Sequence, residues 1–170
     1  MIAQLAFLAA AVFPALVVFA AVKDTATMTI PNWLTIAAAA AFLPAALLAQ
    51  LPWPALALAL GVGLAALVAG MIMFALGWVG GGDAKLFAAC GLWLGGAATV
   101  PFLLWTALAG GALALGLLWG RRLASQMSLA GPFWLRRLLT EGEGVPYGVA
   151  IAAGALMAFP ESPLSHALRV

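Results

Sequence analysis

Only five acidic residues occur in this chain of 170, and two of them, Asp24 and Asp83, are aspartates. Each stands at the end of a long apolar run. Ionisable groups at membrane depth are costly and usually functional. Two carboxylates held close cannot both ionise comfortably, so they tend to share one proton. Their titration then belongs to the pair and not to either residue. Such a pair suits peptide hydrolysis. One carboxylate takes a proton from water while the other protonates the carbonyl oxygen of the scissile bond. The ordinary alternative is a pair of solvated charges flanking spans, since charged side chains are mostly exposed.

The setting of Asp83 favours chemistry. It follows Gly80, Gly81 and Gly82. Glycine permits positive φ and lets another backbone approach closely, which an extended substrate strand requires. Asp83 also opens a helix, where the dipole favours an anion. Lys85, two positions on, need not face Asp83 but adds positive charge nearby. The competing reading is a glycine loop with a helix-capping aspartate. Other hydrolytic chemistries fail on inventory. Cys90 and His166 are each the single residue of their kind and cannot build a metal site. There is no HExxH motif. A Ser–His mechanism would need His166, which lies in the tail, far from any serine in a span. No cofactor and no metal are expected.

The elements that must hold these aspartates are membrane helices. Hydrophobic residues make up 66% of the chain and charged residues 7%, with mean hydropathy +1.17. A soluble domain carries about 25% charged residues. A spanning helix needs ~20 apolar residues, so the length allows at most six or seven. Long apolar runs, in place of short alternating segments, argue against a barrel. The expected fold is all-α: one integral membrane domain over residues 1–170, a polytopic bundle of about six transmembrane helices. The formal net charge of +2 reflects cations scattered among loops. It points to membrane topology and to no nucleic-acid partner.

The first span is expected over residues 2–22, ended by Lys23 and Asp24. It has no basic start and too long a core for a cleaved signal, so it reads as a retained helix. The second covers residues 33–48, after Pro31-Asn32, and a turn at Pro52 and Pro54 follows. The third covers residues 55–78. Residues 84–120 are too long for one span, and Gly95-Gly96 with Pro101 are the expected division. That leaves a short fourth span at 85–94 and a fifth at 101–119. Residues 132–139 read as an interfacial amphipathic helix. A sixth span covers residues 145–159. In this layout Lys23, Lys85 and the four clustered arginines all lie in odd-numbered loops, and only Arg169 does not. Positive residues mark the cytoplasmic side. Both aspartates then face the cytoplasm and both termini lie outside it.

Three segments carry a family resemblance. Gly80-Gly81-Gly82-Asp83-Ala84-Lys85 resembles the GxGD signature of the type IV prepilin peptidases. Lys23-Asp24 followed by Ile30-Pro31-Asn32 resembles their other signature, an aspartate shortly before IPN. Pro146-Tyr147-Gly148 is similar to the PYG element that opens their last span. The segments are ordered as in the family and cover nearly the whole chain. The resemblance implies an aspartyl endopeptidase of the bacterial inner membrane, with Asp24 and Asp83 catalytic. It would cut the basic leader from prepilins just before their hydrophobic segment, and it implies no cofactor. Larger members add a cytoplasmic domain with paired CxxC motifs and methylate the new N-terminus. This chain is similar to the short form found with Flp-type (Tad) pili, with no separate methyltransferase or zinc domain expected. It departs from the family in having Thr25, Ala26, Thr27, Met28 and Thr29 where basic residues are frequent.

Other residues have plainer readings. Asn32 is expected to cap the second span, with a hydrogen bond across helices as the alternative. Glu141 and Glu143 suit a solvated loop. Tyr147 suits an interfacial anchor. Gly61, Gly63, Gly70, Gly110 and Gly111 suit close helix packing in lipid. Two further functions compete with the peptidase. A transporter or channel would use the aspartates as a proton relay, yet relays place carboxylates deep within spans. A non-catalytic assembly protein of a pilus or secretion system would need neither.

Overall fold

In lipid every backbone polar group must be satisfied within the chain, so apolar runs of this length have to form helices. The computed structural model describes residues 2–125, 132–140 and 142–169, and it is helical with no strand among them. The elements are α1 (Ile2–Thr27), α2 (Asn32–Leu48), α3 (Trp53–Ala75), α4 (Gly81–Ser125), α5 (Phe133–Leu138), α6 (Tyr147–Ala158), a 3₁₀ turn (Phe159–Glu161) and α7 (Pro163–Ala167). Three of them, over Gln4–Thr27, Trp53–Ala75 and Gly81–Ser125, are long and apolar enough to cross a membrane. The chain is thus a multi-pass helical membrane bundle.

Prolines and glycines set the boundaries. Pro31, Pro52, Pro132 and Pro146 each stand just before a helix, where a missing N–H costs nothing. The long apolar stretch after Asp83 divides at Gly95, whose φ of 60° and ψ of −168° no helix can accommodate. Two arms result, over residues 81–94 and 96–125. The Gly95 carbonyl accepts a hydrogen bond from the Thr99 hydroxyl at 2.7 Å. Gly95 alone makes this division: Pro101, the other expected breaker, lies inside the second arm.

Two more expectations are corrected. The first helix does not end at Lys23 and Asp24 but runs on to Thr27. Its last polar residues satisfy themselves locally, because the Thr25 and Thr27 hydroxyls donate to the carbonyls of Ala21 and Lys23. The sixth span is shorter than expected. α6 has 12 residues, about 18 Å at helical rise, against a hydrocarbon core of ~30 Å. It lies within the bundle, with Gly148, Ala150, Ile151, Ala152, Gly154, Ala155 and Ala158 buried. A helix is present within the expected 132–139 as α5, with Phe133 and Trp134 exposed.

The centre of the bundle is Trp93, on the first arm of α4. It stacks on Phe13 of α1 at 4.9 Å between ring centroids and meets Phe42 of α2 edge-on at 5.7 Å. Its indole N–H donates to the Ala38 carbonyl at 2.7 Å. One side chain thereby ties three helices. Small residues do the rest, as expected where lipid removes most of the hydrophobic drive between helices. Gly63 and Gly70 of α3 lie against Leu92 and Ala84 of α4.

Candidate active site

Both aspartates lie at one end of the bundle, and helix ends position them. Asp24 sits on the last turns of α1 and is 5% exposed. Its Oδ2 accepts a hydrogen bond from the backbone N–H of Gly148 at 2.8 Å. Gly148 is in the first turn of α6, where N–H groups lack helical partners and the dipole favours an anion. Asp83 lies in the first turn of α4, so it too sits at a positive helix end.

Ile30 joins the two sites. It is buried in the stretch between α1 and α2. A Cβ at Gly148 would stand 2.8 Å from Asp24 Oδ2 and 2.9 Å from Ile30 Cδ1. A Cβ at Gly82 would stand 3.0 Å from Ile30 Cβ and 3.2 Å from its carbonyl oxygen. Ile30 is therefore wedged between two glycine backbones, one bonded to Asp24 and the other adjacent to Asp83. Positive φ plays no part at Gly80, Gly81 or Gly82, since among the described residues the glycines with positive φ are Gly77, Gly95 and Gly142. The glycines serve close approach. Gly80 leaves room for the Asp83 carboxylate, whose Oδ2 would lie 2.9 Å from a Cβ there.

The remaining residues of the three segments gather around this core. Pro31 precedes α2, and its neighbour Asn32 does not cap that helix: no side-chain cap bond forms. Asn32 Oδ1 instead accepts a hydrogen bond from Lys85 Nζ at 2.8 Å, the cross-helix alternative. This bond ties the start of α2 to the start of α4. Pro146 is buried and precedes α6. Tyr147 is half exposed and borders a cavity of about 200 Å³ that Asp83 also lines.

Two arginines that sequence treated only as topology markers brace the site. Arg121 is buried, and its Nε and Nη2 donate to the carbonyls of Leu138 and Gly144 at 2.9 and 2.7 Å. It thereby fixes the segment that leads into Pro146. Arg137 donates to the Thr27 carbonyl at 3.3 Å, at the end of α1, where a cation complements the dipole. It also pairs with Glu143 at 3.5 Å, which ties that residue to α5. Glu141 lies outside the described residues. Nothing in the spacing of Arg121 or Arg137 distinguishes them from loop arginines, because their partners are backbone carbonyls. Among the described residues no three His, Cys, Asp or Glu side chains converge that could hold a metal ion.

A pair of carboxylates so placed can move protons in opposite directions, one accepting as the other donates. Comparison with curated proteins and with solved structures found no match. The sequence profile of the type IV leader peptidase family matches residues 11–115, a stretch that holds Asp24, Ile30-Pro31-Asn32 and Gly80-Gly81-Gly82-Asp83 but stops short of Tyr147. That match spans most of the chain, which belongs to the type IV leader peptidase family.

Proposed function

We propose that this peptidase is an aspartyl endopeptidase of the bacterial inner membrane that removes the leader from prepilin-like proteins. Asp24 and Asp83 are its catalytic pair. The observation that supports this reading is the gathering of both aspartates around Ile30: Asp24 accepts from the Gly148 N–H, against which Ile30 packs, and Asp83 is one residue from Gly82, which packs on the same side chain. Water held between them loses a proton to one carboxylate and attacks the scissile carbonyl carbon. The other carboxyl group, which holds the shared proton, gives it to the carbonyl oxygen. The tetrahedral intermediate then breaks its C–N bond as the carboxyl that took the water proton passes it to the leaving amine and the other carboxylate takes a proton from a hydroxyl of the intermediate. The carboxylic acid and the new N-terminus are the products, and the pair returns to its singly protonated state.

The sidedness of the cations supports a catalytic face toward the cytoplasm, with both termini on the far side. A basic leader followed by an apolar helix fits such a site. The leader stays in water, the apolar segment enters lipid, and the cut lies between them. Prepilins of the Flp type are the substrate class the family resemblance favours.

The test uses the purified protein in detergent with a prepilin. Asp24→Asn and Asp83→Asn keep size and remove the carboxylate. Cleavage is expected to fall to background in each, with the thermal unfolding midpoint little changed. Cleavage persisting in either variant would remove that aspartate from the mechanism. A wild-type protein that cuts no prepilin would remove the substrate assignment.

A further inference from the structure

Asp24 and Asp83 are held by different means. Asp24 receives the Gly148 N–H. Asp83 Oδ1 is buried and among the described residues has no hydrogen-bond partner, so the place of that carboxylate depends on the place of its own turn. The chain leading into the turn gives little support. Four of the six residues before Asp83 are glycines, the residue type with the most backbone freedom to lose, and Trp78 between them is exposed. The turn is held instead from the side. Gly82, one residue before Asp83, packs on Ile30. Lys85, two residues after it, donates from Nζ to Asn32 Oδ1 at 2.8 Å. Both partners lie in one short stretch, Ile30-Pro31-Asn32, and that stretch is stiff. The Pro31 ring fixes its φ, the Thr35 hydroxyl donates to the Asn32 carbonyl at 3.0 Å, and Ile30 is buried. Asp83 is thus bracketed by two attachments to a single segment. One attachment leaves a helix start free to pivot, and two do not.

We infer that the Lys85–Asn32 bond is a positioning latch for catalysis, which fixes the first turn of α4 against the Ile30-Pro31-Asn32 stretch and so sets where Asp83 stands relative to Asp24. The inference rests on the aspartyl peptidase reading above. Ile30 packs against Gly148 as well as Gly82, so the stretch that receives Lys85 is the one already seated beside the N–H that Asp24 accepts. Without the latch the turn can rotate about the Ile30 contact, and Asp83 moves while Asp24 stays on Gly148. Lys85 and Asn32 act through that turn and are positioning residues, not catalytic ones.

A double-mutant cycle tests this. Lys85→Met and Asn32→Leu each remove one partner at similar size, and the double variant removes both. Both side chains are exposed, so the thermal unfolding midpoint should change little. With a prepilin in detergent, kcat is expected to fall roughly tenfold in each single variant, the low end for a hydrogen bond to a charged group, with KM nearly unchanged. The double variant should fall no further than the worse single one, because all three lose the same contact. Asn32→Asp keeps an acceptor in the same place and is expected to retain most of kcat. Hydrogen exchange, measured without substrate, should rise across residues 83–87 in both single variants. Losses that multiply in the double variant, an unchanged kcat in either single one, or unchanged exchange would overturn the latch and leave the peptidase reading standing. So would a loss confined to KM, which would make Lys85 a substrate contact. A wild type that cuts no prepilin would bring down that reading and the positioning role with it, while the exchange would still report whether the bond holds the turn.

Discussion

Gly148→Ala is the smallest perturbation that reaches the proposed mechanism. The added Cβ would lie 2.8 Å from Asp24 Oδ2, 2.9 Å from Ile30 Cδ1 and 3.0 Å from Asp24 Cβ. Real Cβ contacts are not that short, so something must move. Ile30 is wedged against Gly82 and cannot retreat without disturbing the start of α4. The Asp24 carboxylate can swing away, but then it gives up the Gly148 N–H. A buried hydrogen bond to a charged group contributes about 1.5–3 kcal/mol, and overpacking costs about 1–3 kcal/mol. If α6 withdraws instead, Asp24 loses the N–H that positions its carboxylate. A misplacement of ~1 Å in a catalytic group can cost ~100-fold in rate. The expected result is therefore a kcat lowered by roughly 10- to 100-fold with KM nearly unchanged, measured on a prepilin in detergent. Gly111→Ala is the control, because a Cβ there meets nothing within 4 Å and the change should leave kcat alone. If Gly148→Ala folds and keeps kcat within about twofold of the wild type, the contact between α6 and Asp24 does not position the carboxylate. The reasoning from close approach then fails.

Two further outcomes concern the frame around the site. Arg121→Lys keeps the charge but not the two-pronged donor, so one or both of the Leu138 and Gly144 carbonyls lose their partner. Hydrogen exchange should rise across residues 132–146, with a loss of about 1–3 kcal/mol; unchanged exchange would show that Arg121 does not hold this segment. Trp93→Ala removes the side chain that joins α1, α2 and α4 and is expected to destabilise the bundle by about 3–5 kcal/mol. Trp93→Phe keeps most of the ring packing, loses the bond to the Ala38 carbonyl, and should cost about 1 kcal/mol. Unfolding in mixed micelles reads both, and equal losses would assign the role to the hydrogen bond alone.

Much of this molecule is written in its local sequence. Apolar runs of spanning length can only be helices in lipid, so α1, α2, α3 and both arms of α4 are legible from hydropathy. The break at Gly95 is legible because a glycine pair interrupts a run too long for one span. The cations at one set of loops lead to the expectation that Asp24 and Asp83 share one side, and the structure gathers both around Ile30. These features depend on residues within a turn or two of one another, or on a sum over loops.

The contacts that make the site depend on residues far apart in the chain. Gly148 gives its N–H to an aspartate 124 positions earlier, and Lys85 bonds Asn32 across 53. A cap was the natural expectation for Asn32 because capping is a local act, whereas its actual partner enters only when α2 and α4 meet. The glycines before Asp83 invited a reading in terms of backbone freedom. Their service is instead to leave room for Ile30 and for the Asp83 carboxylate, which no property of glycine alone specifies. Arg121 looks like any loop arginine until two backbone carbonyls surround it. The sequence by itself determined the solvent and the helices, since those follow from transfer energies of single segments. Only the packed bundle decided which backbone N–H meets Asp24, which side chain stands between the two glycines, and what cavity opens beside Asp83.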